Sequence, residues 1–206
     1  MNSMDALKLE GISKYYLKNL ILADITCSLP FGSTIIRGRN GAGKSTLLKI
    51  IAGIADADSG SITRSSTLQN ARLAYFAPGT GLYPQLSVAE NLKFFAALFG
   101  AESTSLSSLL ECWGLSALQH RLVGTLSAGE QAKVGIARTF LGSPGILIFD
   151  EPTAFLDQEA TRWFEQALKL LDAERQIALI ATHDLERLQL QNIPMLGLQG
   201  GRLVPC

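Results

Sequence analysis

Charge is scarce in this chain and has no preferred sign: Asp, Glu, Lys and Arg make up 17% of the residues, 18 basic side chains against 18 acidic ones. No segment concentrates Lys or Arg, so the basic stripe that attracts nucleic acid or an anionic membrane is missing and no direct nucleic-acid partner is expected. Long apolar runs are missing too. Apolar runs such as 94–99 and 145–149 fall far short of the roughly 18 residues that cross a bilayer, so the chain should have no membrane span of its own. The opening stretch MNSMDALKLEGISK mixes Asp, Glu and Lys. It lacks the apolar centre of a secretory signal and points to the cytoplasm. Cysteine is sparse: Cys27, Cys112 and Cys206 are far apart, odd in number and free of zinc-ligand spacing, which suits a reducing compartment. Cys27 and Cys112 are expected as buried small hydrophobes and Cys206 as a free tail thiol. His120, solitary between Gln119 and Arg121, is expected on the surface.

What is present is core-forming material. Hydrophobic residues account for 47% of 206, which excludes a disordered chain. The length exceeds the usual domain of about 100–150 residues and points to one domain with a sizeable insert, or to two small lobes. The first 37 residues alternate apolar and polar in LKLEGIS, LILADITCSL and STIIRG, which predicts several short, partly antiparallel strands. A glycine-rich turn, the helical run LLKIIAGI and two strand candidates, GSITR and ARLAYF, follow. From Pro78 to about Pro144 the pattern turns helical, in SVAENLKFFAALFG, TSLSSLLECWG and SAGEQAKVGIARTFL. Beyond it the strand ILIFD, the amphipathic helix DQEATRWFEQALKLLD, the strand IALIATHD and a closing pair, MLGLQ and RLVP, restore an α/β rhythm. The aromatics Phe94, Phe95, Phe99 and Trp113 are expected to pack in the core.

The strongest chemical signal is GRNGAGKST, in which Gly38, Gly43, Lys44 and Ser45 satisfy G-x-x-x-x-G-K-[ST] between a strand and a helix. Such a loop curls consecutive backbone N–H groups around a β-phosphate. The helix N-terminus adds positive charge, Lys44 reaches the β- and γ-phosphates, and the Ser45 hydroxyl ligates Mg²⁺. The apolar run ILIF delivers Asp150 and Glu151 to the C-terminal edge of a parallel sheet, where such sheets bind ligands. There Asp150 can hold Mg²⁺ and Glu151 can act as general base on an attacking water.

A third stretch, TLSAGEQAKVGIAR followed by ILIFDEPTAFLD, resembles the signature segment and following region of ATP-binding cassette (ABC) ATPases. The resemblance runs over essentially the whole chain, in order. Tyr16 matches the aromatic that stacks on adenine; Gly38, Arg39, Asn40, Gly41, Ala42, Gly43, Lys44, Ser45 and Thr46 match the phosphate loop. Ser127, Gly129 and Glu130 fall in the signature, Ala154–Asp157 in the D-loop, and His183 at the switch histidine. The resemblance implies an α/β fold, a P-loop NTPase cassette with a RecA-like core, an N-terminal antiparallel β part and a helical subdomain. All of 1–206 would be one nucleotide-binding domain, with 1–77 and 145–206 as catalytic core and 78–144 as helical subdomain. It implies ATP and Mg²⁺ as cofactors and Lys44, Glu151 and His183 as catalytic residues. It also implies a second nucleotide-binding subunit, most simply an identical copy, since the signature of one subunit faces the γ-phosphate of the other.

Three departures stand out. Ala128 replaces the first signature glycine and Glu130 the glutamine, while Ser127 and Gly129 are kept, so the anion contacts should survive. Counting back from LYP, Pro78 occupies the position where most members place a magnesium-sensing glutamine, and proline offers no side-chain oxygen. Gln85 lies seven positions later and is not expected to take its place. The resemblance implies an ATP-hydrolysing subunit that drives a separate transmembrane permease from the cytoplasmic face of the inner membrane, the permease docking near Pro78–Gly100. Small size, LSAGE and the absent glutamine also look like the ATP-binding subunit of the haem exporter of cytochrome c maturation. Two other classes compete. A soluble ABC ATPase of chromosomes would need a long coiled coil between phosphate loop and signature, and only 83 residues separate Lys44 from Ser127; one acting on ribosomes usually carries two cassettes. A weakly hydrolysing nucleotide-binding regulator is motivated by Pro78 and opposed by Glu151 and His183.

Overall fold

Two strands of alternating pattern, β1 (Asp5–Tyr16) and β2 (Asn19–Pro30), pair as an antiparallel hairpin, and β4 (Ser59–Arg64) joins the other edge of β1 in the order β2-β1-β4. A computed structural model describes residues 5–79, 81–101, 106–190 and 192–204. The hairpin corrects the expectation of several short strands, since each of its arms runs 12 residues. The pieces look separate in sequence because Gly11, at φ +66°, sits where the β1–β2 register shifts between Leu9 and Ile12 and the two-residue alternation is broken.

The second sheet has six strands in the order β5-β6-β7-β3-β8-β9: β3 (Gly32–Arg37), β5 (Leu73–Phe76), β6 (Ile146–Asp150), β7 (Ile177–Thr182), β8 (Met195–Gln199) and β9 (Arg202–Val204). The first five pair in parallel, and β8–β9 closes as the expected antiparallel hairpin. Every residue of β6 and β7 is buried, the mark of strands covered on both faces. Their side chains divide by period two between two cores. Leu147, Phe149, Ala178 and Ile180 pack with α4 (Ala128–Thr139) and α5 (Gln158–Lys169). Ile146, Ile148, Ile177 and Leu179 pack with α1 (Lys44–Ile51) and the three-stranded sheet, through Leu47, Leu48, Leu22 and Ile25.

The stretch between β5 and β6 is helical: α2 (Val88–Leu98), α3 (Leu106–Cys112), 3-10 turns at Ser116–Leu118 and Val123–Thr125, and α4. Ser87 and Glu90 start α2 with a reciprocal capping box, the Ser87 hydroxyl accepting from the Glu90 N–H at 3.2 Å and the Glu90 carboxylate from the Ser87 N–H at 2.8 Å. Phe95 and Trp113 are buried and Phe99 is half-buried, as expected of core aromatics. Phe94 departs from that expectation and stands exposed, because neighbouring helix positions are about 100° apart and Phe95 takes the inward one. Cys112, at the solvent-facing end of α3, is likewise exposed rather than buried. Cys27 is half-buried, and burial pushes its thiol up to about 11. His120 lies on the surface as expected, and Cys206 falls outside the described residues.

Phe164 of α5 is fully buried and meets Phe149 of β6 edge-on, ring centroids 4.8 Å apart. Phe164→Ala is expected to cost about 3–5 kcal/mol of unfolding free energy, read as a lowered urea midpoint at unchanged slope. A loss below about 1 kcal/mol would mean that this helix–sheet contact does not carry the core.

Candidate active site

The glycine loop leaves β3, a central strand flanked by β7 and β8, and enters α1 at Lys44. Two glycines make that path possible. A Cβ on Gly38 would stand 2.4 Å from the Leu198 carbonyl oxygen, so only a glycine lets the loop lie this close to β8. Gly43 adopts φ +102°, and a Cβ there would meet Leu22 at 2.9 Å and the Ile21 carbonyl at 3.0 Å. As N-cap of α1, Gly43 offers no side-chain acceptor, so the first-turn N–H groups remain available to an anion in front of the loop. Ser45 and Thr46 lie in that turn, half-buried. An open cleft of about 890 Å³ runs along Arg37–Ala42 and is bordered by His183 and the β8–β9 hairpin.

Lys44 is only 5% exposed. Its ammonium donates to the Gly38 carbonyl at 2.8 Å and more weakly to Arg39 O at 3.4 Å, and lies 3.1 Å from Glu151 Oε1. The Glu151 contact is a charge contact rather than an aligned hydrogen bond. The other carboxylate oxygen, Oε2, lies 2.9 Å from His183 Nδ1 and accepts from the His183 N–H at 3.4 Å. Lys44, Glu151 and His183, 139 positions apart in the chain from first to last, thus converge on one carboxylate. Glu151 pays for this position with a left-handed backbone, φ +48°, which its N–H bond to Ala181 O at 2.9 Å holds in place.

Asp150, the last residue of β6, is 6% exposed. Its Oδ2 accepts from the Tyr75 hydroxyl at 3.3 Å, while Oδ1 is buried without a hydrogen-bond partner. Burial and the Asp150 charge together raise the Tyr75 pKa, keeping its proton on the phenol as donor. An orphaned carboxylate oxygen one residue before Glu151 is a donor suited to a divalent cation. Among the described residues no three His, Cys, Asp or Glu side chains gather as a metal cluster. A single free carboxylate oxygen of this kind fits a magnesium ion whose other ligands are phosphate oxygens and water.

The signature residues are not joined to this cluster. Ser127 caps α4 in a second reciprocal box: its hydroxyl accepts from the Glu130 N–H at 3.2 Å and its N–H donates to Glu130 Oε2 at 2.7 Å. Glu130 also pairs with Arg121 at 3.2 Å. Gly129 lies against the D-loop, where a Cβ would come 2.8 Å from Phe155 O. Tyr16 ends β1, half exposed at 47%.

Sequence reasoning passed over several supporting residues. Tyr75 carries no motif. Arg187 donates to Thr153 O at 2.5 Å and Ala154 O at 3.4 Å, tying the segment after His183 to the loop after Glu151. Pro78 lies half-buried in the turn after β5, and Gln85 is exposed. The ends of that turn are held instead by Arg138 of α4, which donates to Tyr75 O at 3.0 Å and to Gly81 O and lies 4.8 Å over the Phe95 ring. Burial lowers the Arg138 pKa, although a guanidinium stays charged.

A strand, a glycine loop and a helix, with the loop's lysine buried against strand-end acids, define a phosphate-loop nucleoside triphosphatase of doubly wound α/β type. The chain belongs to the ABC transporter family, whose model matches residues 22–154, and it is an ATP-binding, ATP-hydrolysing subunit of that kind. It is 40% identical over 164 residues to the cytochrome c biogenesis ATP-binding export protein CcmA of Roseobacter denitrificans, covering 79% of this chain and 77% of that one. Among solved structures it resembles the ATP-binding subunit of an ABC transporter, at TM-score 0.81 and 26% identity over 96% of this chain and 88% of the other. Its fold also matches a dimeric post-hydrolysis ATP-binding cassette bound to ADP and Pi, at TM-score 0.82 and 21% identity over 97% of both chains. Among the described residues no helix is long and apolar enough to cross a membrane.

The Ser127 N–H, more than any other contact, holds the Glu130 carboxyl below its ordinary range, with help from the Ser127 hydroxyl and the charges of Arg121 and Lys133. A depressed carboxyl adds stability above its unfolded pKa and loses it as pH falls through the lowered value. Glu130→Ala should therefore be less stable than the parent at neutral pH, and the gap in urea midpoints should close on acidification. A gap that persists once the carboxyl is protonated would show that the capping charge does not stabilise α4.

Proposed function

We propose that two copies of this chain sandwich two MgATP molecules head to tail and drive a separate transmembrane permease from the cytoplasmic face of the inner membrane. The observation that carries this reading is the single Glu151 carboxylate held by both Lys44 at 3.1 Å and His183 at 2.9 Å, at the mouth of the phosphate loop. Backbone N–H groups from Gly38 to Thr46, Arg39, Asn40, Gly41 and Ala42 included, would cradle the phosphates, with Lys44 on the β- and γ-oxygens. Asp150 and Ser45 would hold Mg²⁺, which neutralises charge on the phosphate oxygens when bound. Glu151 would take a proton from the attacking water, the new O–P bond forming as the β–γ bridge bond breaks, while His183 orients that carboxylate. Tyr16 would stack on adenine. Ser127, Gly129 and Glu130, at the N-terminus of the twelve-residue helix α4, would meet the partner copy's γ-phosphate, which makes dimerisation part of catalysis.

For the permease, the helical stretch offers an apolar contact. Tyr83 and Phe94 pack edge to face at 5.0 Å yet stay 46% and 42% exposed, and Leu98, one turn on, is 62% exposed. Exposed aromatics grouped in this way suit a protein contact. The match to CcmA supports an export step in cytochrome c biogenesis, with haem as the cargo that the sequence resemblance implies.

Lys44→Ala is expected to abolish ATP binding and turnover, and unchanged turnover would overturn the phosphate-loop assignment. Glu151→Gln should accumulate as an ATP-bound dimer by size exclusion, and a variant that stays monomeric and hydrolyses normally would remove Glu151 as the base. Pull-down from membranes tests the partner: a polytopic protein that raises turnover supports the transporter reading, and recovery of ribosomes alone sinks it.

A further inference from the structure

A base-stacking ring is useful only where its position is set before the ligand arrives, and Tyr16 stands at a hairpin tip that is paired with β2 on one edge and free of β4 on the other. Pairing between β1 and β4 stops at Ser13 and Ser59, and the β1–β2 register slips between Lys14 and Tyr15. On the edge that β4 leaves, the tip is fixed by a side chain. Asp58, just before β4, donates its own N–H to Ser13 O at 2.9 Å, while its Oδ2 accepts from the Tyr15 N–H at 2.6 Å. Its Oδ1 accepts from the Lys14 ammonium at 3.0 Å. That ammonium in turn lies 5.5 Å from the centroid of the Tyr16 ring, and the Lys14 side chain is only 13% exposed. Asp58 therefore continues the β4 ladder by one hydrogen bond and directs a cation at one face of the ring. The Tyr15 N–H, and then Lys14, hold its carboxyl below the usual aspartate range, as a carboxylate spent on these two donors should be.

We propose that Asp58 and Lys14 form a latch that presets Tyr16 for the nucleotide base: Asp58 fixes the backbone at Tyr15, and Lys14 occupies one ring face so that the purine stacks on the other. This inference rests on the reading of Tyr16 as the adenine platform. Asp58 is a positioning residue, without contact to the phosphates, so its loss should fall on binding of the base and on KM rather than on kcat. The cation beneath the ring also fixes the order base, ring, ammonium, in which the ring's negative faces are shared between two electron-poor partners.

The test is calorimetric titration of the full chain with MgATP and with magnesium tripolyphosphate, which has no base, using the parent, Asp58→Ala, Asp58→Asn, Tyr16→Ala and the Asp58→Ala/Tyr16→Ala double variant. Asp58→Ala should weaken MgATP about fivefold and leave tripolyphosphate unchanged. Asp58→Asn keeps an oxygen for the Tyr15 N–H but loses the charge that holds Lys14, so it should fall between the two and serves if the alanine variant does not fold. In the Tyr16→Ala background the same substitution should add less than about a twofold loss. A loss for Tyr16→Ala without one for either Asp58 variant overturns the latch and leaves the platform standing. Equal losses for ATP and tripolyphosphate, or equal losses in both backgrounds, overturn it as well, since Asp58 would then act on the fold at large. No effect of Tyr16→Ala on MgATP removes the platform and the latch together.

Discussion

The structure turns on one buried ammonium. A charge that is 5% exposed needs polar partners, because an unpaired ion in a protein interior costs several kcal/mol. Lys44 finds them in two places that the chain must bring together, the Gly38 carbonyl of its own loop and the Glu151 carboxylate at the end of β6. The first contact requires the loop to fold back on itself over Gly41 at φ +80° and Gly43 at φ +102°. The second requires β6, β7 and β3 to be adjacent and parallel, so that their C-terminal ends share one edge. Loop, strand order and left-handed Glu151 are therefore one constraint seen from three sides. The same carboxylate reaches His183 at the end of β7, so the histidine is placed by this pairing rather than by a separate device.

Around that centre, arginines tie segments that have no reason to stay together by apolar packing alone. Arg187 bridges the stretch after His183 to the loop after Glu151, through Thr153 O and Ala154 O. Arg138 bridges α4 to both ends of the turn that follows β5. Carbonyl oxygens are the partners in both cases, and a planar guanidinium with several donors suits two of them at once. Arg138 joins α4, the helix that carries Ser127, to Tyr75, whose hydroxyl reaches Asp150 in the carboxylate site. A displacement of the turn after β5 would therefore pull on Arg138 of α4.

Contiguous chemistry was legible in the sequence and distributed chemistry was not. GRNGAGKST and ILIFDE each occupy neighbouring positions, and spacing alone places their residues on a loop and at a strand end. The parallel sheet and closing hairpin followed from short apolar runs between turn residues. The length of β1 and β2 did not, because the register slip at Gly11 hides a continuous strand behind a broken alternation. Phe94 and Phe95 differ by one position, and pattern reading could not say which of two adjacent aromatics faces inward. Cys112 was missed for the related reason that a short helix exposes its end. Tyr75 to Asp150 and Lys14 to Asp58 are separated by 75 and 44 positions, and each joins residue types too common to signal anything alone.

The turn that carries Pro78 is held from outside by α4. A proline at this turn removes both a side-chain oxygen and a backbone donor. The turn is nonetheless anchored at both ends through carbonyl oxygens, which proline does not disturb, by an arginine of α4. Gly81 completes the fit: at φ +76° it brings its carbonyl under Arg138, and a Cβ there would collide with the guanidinium. The same arginine lies on Phe95, whose ring packs against Tyr83 and Phe94 at 6.0 and 5.2 Å. The exposed aromatic surface and the signature helix thus share one guanidinium. A partner pressing on Tyr83 or Phe94 would be felt at α4 through Phe95 and the Arg138 guanidinium stacked on it, a path that does not call on the side chain at position 78.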